Sequence, residues 1–482
     1  MTQDDSSVDI KSETIIGGFG RSLLLVGGFG EIILLTRYFK PSLVGFLYIA
    51  LAVAQVASQT VEGFTIAIRK KVSEAETNPP DYLGLGLLAG FVYGIVVYAA
   101  YAIIWLLLDY RPFEISSEVA AYVAFVSIAL GLFVVAKNTY SGLGNPGNSM
   151  ILNAGRTVLR VILVILVISI NGGIVELLIS VAAANLALTV VILSIMRVTP
   201  RIPNRKTIFG TMTFARFSIP NAFVLRLYSR LDVILLGILV GGAAAGYYES
   251  ALRLTVPAIT ISTAVGQALT VKASEKSSAG LLKTNDVLSY PLRYAGVFAY
   301  PMIIGAVVIG DQVLKLFFTP SYLTAWSALI GLSIYQLAHS YRIQFSMLSD
   351  GIGRPNLNLY INTITTIAYL PVAVSLGLIY GLVGIIIATV TTESARIALY
   401  LRYLRTDSIE PAILAQIAPQ VVAATLMGGL IYIIRNLVNA TSNLGVVLLL
   451  IIGVTTYVLS LLLLDGGLRS LARNRVAVFR SA

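Results

Sequence analysis

Runs of about twenty apolar residues, separated by short polar breaks, follow one another along almost the whole chain. They fall at 14–36, 42–68, 82–108, 118–137, 149–170, 173–196, 210–240, 243–271, 287–310, 322–348, 357–379, 381–403, 411–435 and 444–465. A bilayer core about 30 Å thick is crossed by about 20 helical residues. The pattern therefore predicts an all-α polytopic membrane protein with about 14 transmembrane helices.

The run at 210–240 is unlike the others because it carries Arg216, Arg226, Arg230 and Asp232. An arginine facing lipid near a helix centre costs roughly 2.5–3.5 kcal/mol, so these side chains should face protein or water. At about 100° per residue, Arg216 and Arg226 flank Arg230 by about 40° on either side, while Asp232 lies about 200° away. The three guanidinium groups read as a basic stripe lining an internal cavity, with the aspartate turned towards another helix. The alternative is that they meet carboxylates elsewhere in the chain or snorkel to the interfaces.

Composition excludes a soluble fold: 57% of residues are hydrophobic and 12% charged, with a mean hydropathy of +0.86. The net charge of +11 would suit nucleic acid in a soluble chain, but here its placement follows membrane topology, and no nucleic-acid partner is expected. With the N-terminus inside, the inner segments hold 19 Lys and Arg and the outer segments 5. The positive-inside rule then puts both termini in the cytoplasm. The polar, acidic start lacks the basic and apolar regions of a cleaved signal, and residues 1–13 read as a short cytoplasmic tail.

The chain also repeats itself. Gly142-Leu143-Gly144-Asn145-Pro146 recurs 209 residues later as Gly351-Ile352-Gly353-Arg354-Pro355, and Asn153 recurs as Asn362. Earlier in each half the offset is 201, relating Lys71, Ser73 and Glu74 to Lys272, Ser274 and Glu275, Gly45 to Gly246, and Glu31 to Asp232. Six spans separate the copies, an even number, so the halves keep one orientation. The expected organisation is an N-lobe at 14–206, a C-lobe at 207–408, two further spans at 409–466 and a basic cytoplasmic tail at 467–482.

Several chemistries are absent. There is no cysteine and one histidine, His339, which removes thiol nucleophiles, disulfides and a histidine-based metal cluster. No Gly-Lys dipeptide occurs, so there is no P-loop; neither a cofactor nor a metal is expected. Arginines exceed carboxylates at span positions, which gives a cavity the positive potential that suits a phosphate or pyrophosphate. Arg156 and Arg160, four residues apart after the first Gly-x-Gly-x-Pro loop, are further substrate contacts. Glu31 and Asp232 are candidates for a coupling proton or sodium, or are polar groups pinning helices. Glu249 with Arg253 and Glu393 with Arg396 have the spacing of pairs closed on one helix face, and His339 shares a face with Arg342. Asn439-Ala440-Thr441 matches a glycan acceptor in an outer loop.

The run Ser229-Arg230-Leu231-Asp232, Leu236-Gly237, Gly241 to Tyr248 and Ala251-Leu252-Arg253-Leu254, followed by Ser274-Glu275, resembles the opening of the second half of the polysaccharide exporters and lipid-linked oligosaccharide flippases. Their superfamily includes the multidrug and toxin extrusion transporters. The resemblance covers about 14–465. It implies two six-helix parallel-repeat lobes around a central cavity plus two C-terminal helices. It also implies alternating-access movement of a polyprenyl- or dolichyl-phosphate-linked oligosaccharide or polysaccharide precursor across the cytoplasmic membrane. Membrane lipid, the lipid-linked glycan and glycan-assembly enzymes are the implied partners. No fixed residue set comes with it, so Arg216, Arg226, Arg230, Arg156 and Arg160 rest on helical geometry. A cation-coupled multidrug exporter would share the fold but should have an acidic cavity. A membrane glycosyltransferase or polymerase would want a large outer loop with a carboxylate or metal site, and no enzyme is expected.

Overall fold

The computed structural model describes residues 10–74, 78–108, 117–404, 411–438 and 442–469. Five features read from the sequence lie outside them: the acidic start before residue 10, the 109–116 loop with Arg111, the segment with Arg405, the Asn439-Ala440-Thr441 sequence, and the basic tail with Arg473, Arg475 and Arg480. The described residues are mostly helical, joined by short turns, with no strand among them.

The helices are α1 (Ile10–Tyr38), α2 (Pro41–Val72), α3 (Pro79–Leu108), α4 (Ser117–Gly142), α5 (Pro146–Ser169), α6 (Ile174–Met196), α7 (Arg205–Leu239), α8 (Gly242–Thr255), α9 (Thr260–Ser278), α10 (Thr284–Ala295), α11 (Ala299–Phe317), α12 (Trp326–Gly351), α13 (Pro355–Tyr403), α14 (Pro411–Val438) and α15 (Asn443–Leu464). Eleven segments among the described residues are long and apolar enough to cross a membrane, so the chain is a multi-pass membrane protein. The expected span at 243–271 is broken into α8 and α9 by a 3-10 turn at Val256–Ile259, where Pro257 has no N–H to continue the helical ladder. The expected span at 287–310 is likewise α10 followed by α11.

Local sequence sets the helix ends. Asn204 caps α7 by accepting from the Thr207 N–H at 2.8 Å, and Ser442 caps α15 by accepting from Gly445 N–H at 3.1 Å; each satisfies an orphan donor of the first turn. The repeated Gly-x-Gly-x-Pro motif folds the same way twice. Pro146 and Pro355 open α5 and α13, and the preceding Asn145 and Arg354 have φ/ψ of −116/54° and −112/51°. Gly144 and Gly353 have φ of 91° and 73°, the left-handed conformation that glycine adopts without a Cβ penalty.

The chain forms two compact units, Met1–Glu249 and Ser250–Ala482. In the first, α2 packs against α7, α4 and α3, α1 against α5, and α4 against α6. Its core includes Val61, Leu83, Phe133, Val135 and Ile192. Asn138 of α4 donates to Thr65 Oγ1 of α2 at 2.7 Å, which fixes the register of two apolar helices.

In the second unit α12 packs against α13, α9 and α11, and α14 against α15 and α11. Arg435 of α14 pairs with Asp311 of α11 at 3.1 Å, and Tyr457 of α15 donates to Val297 O at 2.6 Å. Along α15, Val446, Leu449, Gly453, Tyr457 and Leu461 are buried, while Leu448, Ile451, Val454 and Val458 are exposed. The exposed face is as apolar as the buried one, as lipid contact requires.

Candidate functional site

The structure gives carboxylate or amide partners to most of the arginines singled out from the sequence. On α7, Arg226 donates from Nε to Gln59 Oε1 at 2.8 Å and from Nη2 to Glu62 Oε2 at 3.3 Å. One turn on, Arg230 donates from Nε to Gln55 Oε1 at 2.9 Å and from Nη1 to Glu249 Oε1 at 3.1 Å. Gln55, Gln59 and Glu62 share one face of α2 at helical spacing, so the two arginines run as a ladder along α2. Glu249 is 1% exposed and therefore needs its cation.

Arg216 is exposed and lies one turn before Pro220, which sits inside α7. Asp232 turns away from the ladder, as its angle demands, and accepts a hydrogen bond from the Tyr248 hydroxyl of α8.

Arg156 and Arg160 of α5 have different surroundings. Arg160 pairs with Glu31 of α1, a carboxylate only 2% exposed, so Glu31 holds α1 against α5. Among the described residues Arg156 forms no ion pair with a carboxylate, although Glu31 and Glu62 lie within electrostatic reach. It donates from Nη1 to Asn185 Oδ1 at 3.0 Å, its guanidinium carbon lies 4.7 Å from the centre of the Phe133 ring, and its Nε is buried without a partner.

A second charged cluster lies in the unit formed by Ser250–Ala482. Glu393, fully buried, pairs with Arg396 at 3.1 Å, as the i,i+3 spacing predicts. Its other oxygen lies 2.7 Å from Arg342 Nε of α12, an ion pair rather than an aligned hydrogen bond. His339 Nδ1 is 3.6 Å from the same carboxylate. Arg396 donates further from Nε to Thr365 Oγ1 at 2.8 Å, which ties together the two ends of α13. That helix bends at Gly381, whose φ/ψ of 58/−131° is open to glycine and closed to other residues.

Sequence reading missed Lys137 as an interior residue, because the span was ended at this first charge. The helix α4 runs on to Gly142, and Lys137 lies within electrostatic reach of Arg156, Arg69 and Arg226 and of one carboxylate, Glu62. The signal was available: Asn138-Thr139-Tyr140 could continue the helix up to the Gly-x-Gly-x-Pro turn. No group of three or more His, Asp or Glu able to hold a metal occurs among the described residues.

Long apolar helices packed around buried ion pairs define a multi-pass membrane protein. The sequence profile of the polysaccharide biosynthesis protein family matches residues 34–327, more than half of the chain, and the chain belongs to that family. It is 28% identical over 272 residues to the probable flippase AglR of Haloferax volcanii, 55% of this chain and 57% of that relative. The match thus spans little more than half the length of AglR. The probable low-salt glycan biosynthesis flippase Agl15 of the same organism is 23% identical over 422 residues, 86% of this chain and 87% of that relative. Among solved structures, the lipid II flippase MurJ in an inward closed conformation has the same fold, with a TM-score of 0.75 at 15% identity over 94% of this chain and 98% of that one.

Proposed function

We propose that this chain is a flippase. It moves a polyprenyl- or dolichyl-phosphate-linked oligosaccharide or polysaccharide precursor across the cytoplasmic membrane by alternating access, leaving its cargo chemically unchanged. The observation that carries this reading is the cationic interior of the unit formed by Met1–Glu249. There Glu31, Glu62 and Glu249 are each engaged by Arg160, Arg226 and Arg230, and Lys137 and Arg156 remain without an ion-pair partner among the described residues. A surplus of positive charge in a low-dielectric interior attracts anions and repels cationic drugs. Membership of the polysaccharide biosynthesis protein family and the likeness to AglR and Agl15 support the same reading. Partners are membrane lipid, the lipid-linked glycan and the enzymes that assemble it.

In this reading the chain crosses the membrane fourteen times. To the eleven apolar segments, α7 and α12 are added, each long enough but carrying charged and polar side chains, and α13 counts twice because of its bend at Gly381. Two parallel-repeat lobes at 14–206 and 207–408 and an additional pair, α14 and α15, follow from the sequence offsets and from the matching backbone at Asn145 and Arg354. Both termini are cytoplasmic. Single cysteines introduced into this cysteine-free chain should then react with an impermeant maleimide from the cytoplasmic side at Ser73 and Arg201 and from the outside at Ser321. Labelling of Arg201→Cys from outside intact cells would overturn the orientation.

The basic residues Arg156, Arg160, Arg216, Arg226 and Arg230 bind the cargo's phosphate, and Glu31 and Asp232 are the candidates for coupling to an ion. Arg226 is 33% exposed on its side chain and keeps Nη1 for a ligand. Replacing either Arg226 or Arg230 by Ala removes charge-assisted hydrogen bonds worth roughly 1.5–3 kcal/mol, for a flux loss of about ten- to hundredfold at subsaturating glycolipid. Transbilayer movement in proteoliposomes reads it out. A folded double variant moving glycolipid at the parent rate would make the ladder a purely structural latch.

A further inference from the structure

We infer that Lys137 and Arg156 form a seat for the phosphate of the lipid-linked cargo beside the α7 arginines, which also hold α7 to α2. The ligand's identity rests on the flippase reading; the seat itself rests on the side chains. Three interior cations of this unit have carboxylates of their own: Arg160 has Glu31, Arg226 has Glu62 and Arg230 has Glu249. Lys137 and Arg156 have none among the described residues.

Arg156 is held in place without an ion pair among the described residues, with Glu31 and Glu62 only within electrostatic reach. Asn185 Oδ1 accepts from its Nη1 at 3.0 Å, and Asn185 is itself oriented by donating to Val181 O at 2.7 Å. Phe133 supports the guanidinium face, and Nε is left buried with no acceptor. An oriented arginine with an unsatisfied donor is pre-organised for an oxyanion.

Lys137 adds a second charge. The neighbouring Asn138 anchors α4 to Thr65 of α2, so the fold keeps the Lys137 ammonium within reach of three like charges, Arg156, Arg69 and Arg226, and of the carboxylate of Glu62, which Arg226 already pairs. That repulsion is relieved when an anion lies against both Lys137 and Arg156. At 1.5 Å rise per residue, Lys137 lies about 7 Å from the end of α4 and Arg156 about 15 Å from the start of α5. Both ends meet at the Gly142–Pro146 turn, so the seat lies in the half of the unit nearest that turn. A phosphate or pyrophosphate oxygen there accepts from Arg156 Nε and from the rotatable Lys137 ammonium.

The test uses purified full-length protein in lipid nanodiscs and three probes: geranylgeranyl phosphate, geranylgeranyl pyrophosphate and uncharged geranylgeraniol. The parent should bind both charged lipids at least about tenfold more tightly than the alcohol. Lys137→Met and Arg156→Gln should each lose about tenfold for the charged lipids and nothing for the alcohol, while Lys272→Met, at an exposed position of α9, should match the parent. Inorganic pyrophosphate separates a lipid headgroup from a free anion: competition only at concentrations far above the lipid assigns the seat to the lipid. Parent-like affinity in a folded Lys137→Met variant overturns the proposal, as does equal binding of alcohol and phosphate by the parent. Should the variants fail to fold, acetylation of Lys137 in the parent by an N-hydroxysuccinimide ester, read by peptide mass spectrometry, decides. Geranylgeranyl phosphate is expected to slow it about tenfold, and an unchanged rate refutes the seat. Absence of glycolipid flux with this binding pattern intact would sink the flippase reading and leave the seat standing.

Discussion

Glu393→Gln is expected to destabilise the protein by about 3–5 kcal/mol, the usual cost of removing one partner from a buried ion pair. The carboxylate is fully buried and meets Arg396, 2% exposed, and Arg342, 14% exposed. A neutral amide in its place leaves two guanidinium groups facing each other in a medium that cannot solvate them. His339 beside them adds no compensating negative charge. The loss should appear as a sharp fall in monodisperse protein after detergent extraction and a lowered melting temperature. Glu393→Asp should recover part of it, because the charge survives with poorer reach. A Glu393→Gln protein as abundant and as stable as the parent would mean that water or lipid headgroups reach this cluster.

The second large effect concerns Glu31. Arg160→Met should cost a similar amount, about 3–5 kcal/mol, because it strands a carboxylate 2% exposed between α1 and α5. The double change Glu31→Leu with Arg160→Met should restore most of the stability, since an apolar pair of similar volume replaces a desolvated ion pair at little net cost. The same double variant tests ion coupling. If Glu31 carries a proton or sodium, the variant folds but its remaining flux no longer responds to an imposed gradient. A folded double variant whose flux keeps the parent's gradient dependence removes Glu31 from the coupling role and leaves it as the pin between α1 and α5.

Much of the fold could be read from hydropathy because lipid and a protein interior are both apolar. A helix buried on nearly every side, such as α2, and one with a lipid face, such as α15, give the same long run. For that reason the helical class was legible while the partners of each helix were not. The breaks inside α8–α9 and α10–α11 were hidden because Pro257 and Gly296 interrupt the backbone without interrupting the apolar pattern. The repeated Gly-x-Gly-x-Pro turn was legible because glycine and proline each impose a backbone conformation that survives in both copies.

The charged side chains were legible as residues and illegible as pairs. Arg226 meets Glu62 across 164 positions and Arg160 meets Glu31 across 129, so only the three-dimensional packing of α2 on α7 and α1 on α5 could pair them. The local pair Glu393–Arg396 was visible from spacing, but its third member, Arg342, arrives from α12. Lys137 was overlooked for the opposite reason, since a lone charge near the end of an apolar run reads as the end of the helix when the polar residues after it continue the turn.

The most direct test of the account is a competition for transport in one set of proteoliposomes. Vesicles containing the purified protein are given a fluorescent polyprenyl-phosphate-linked saccharide in the outer leaflet and ethidium, a cationic drug, in the medium. Loss of the saccharide's accessibility to dithionite, or to a membrane-impermeant hydrolase, reports inward movement; ethidium fluorescence on encapsulated DNA reports dye entry. The account predicts protein-dependent movement of the saccharide, chemically intact by mass spectrometry, that is slowed by Lys137→Met, with no protein-dependent entry of ethidium under a sodium or proton gradient. Gradient-driven ethidium entry with an immobile glycolipid would contradict it and turn the same fold to drug export.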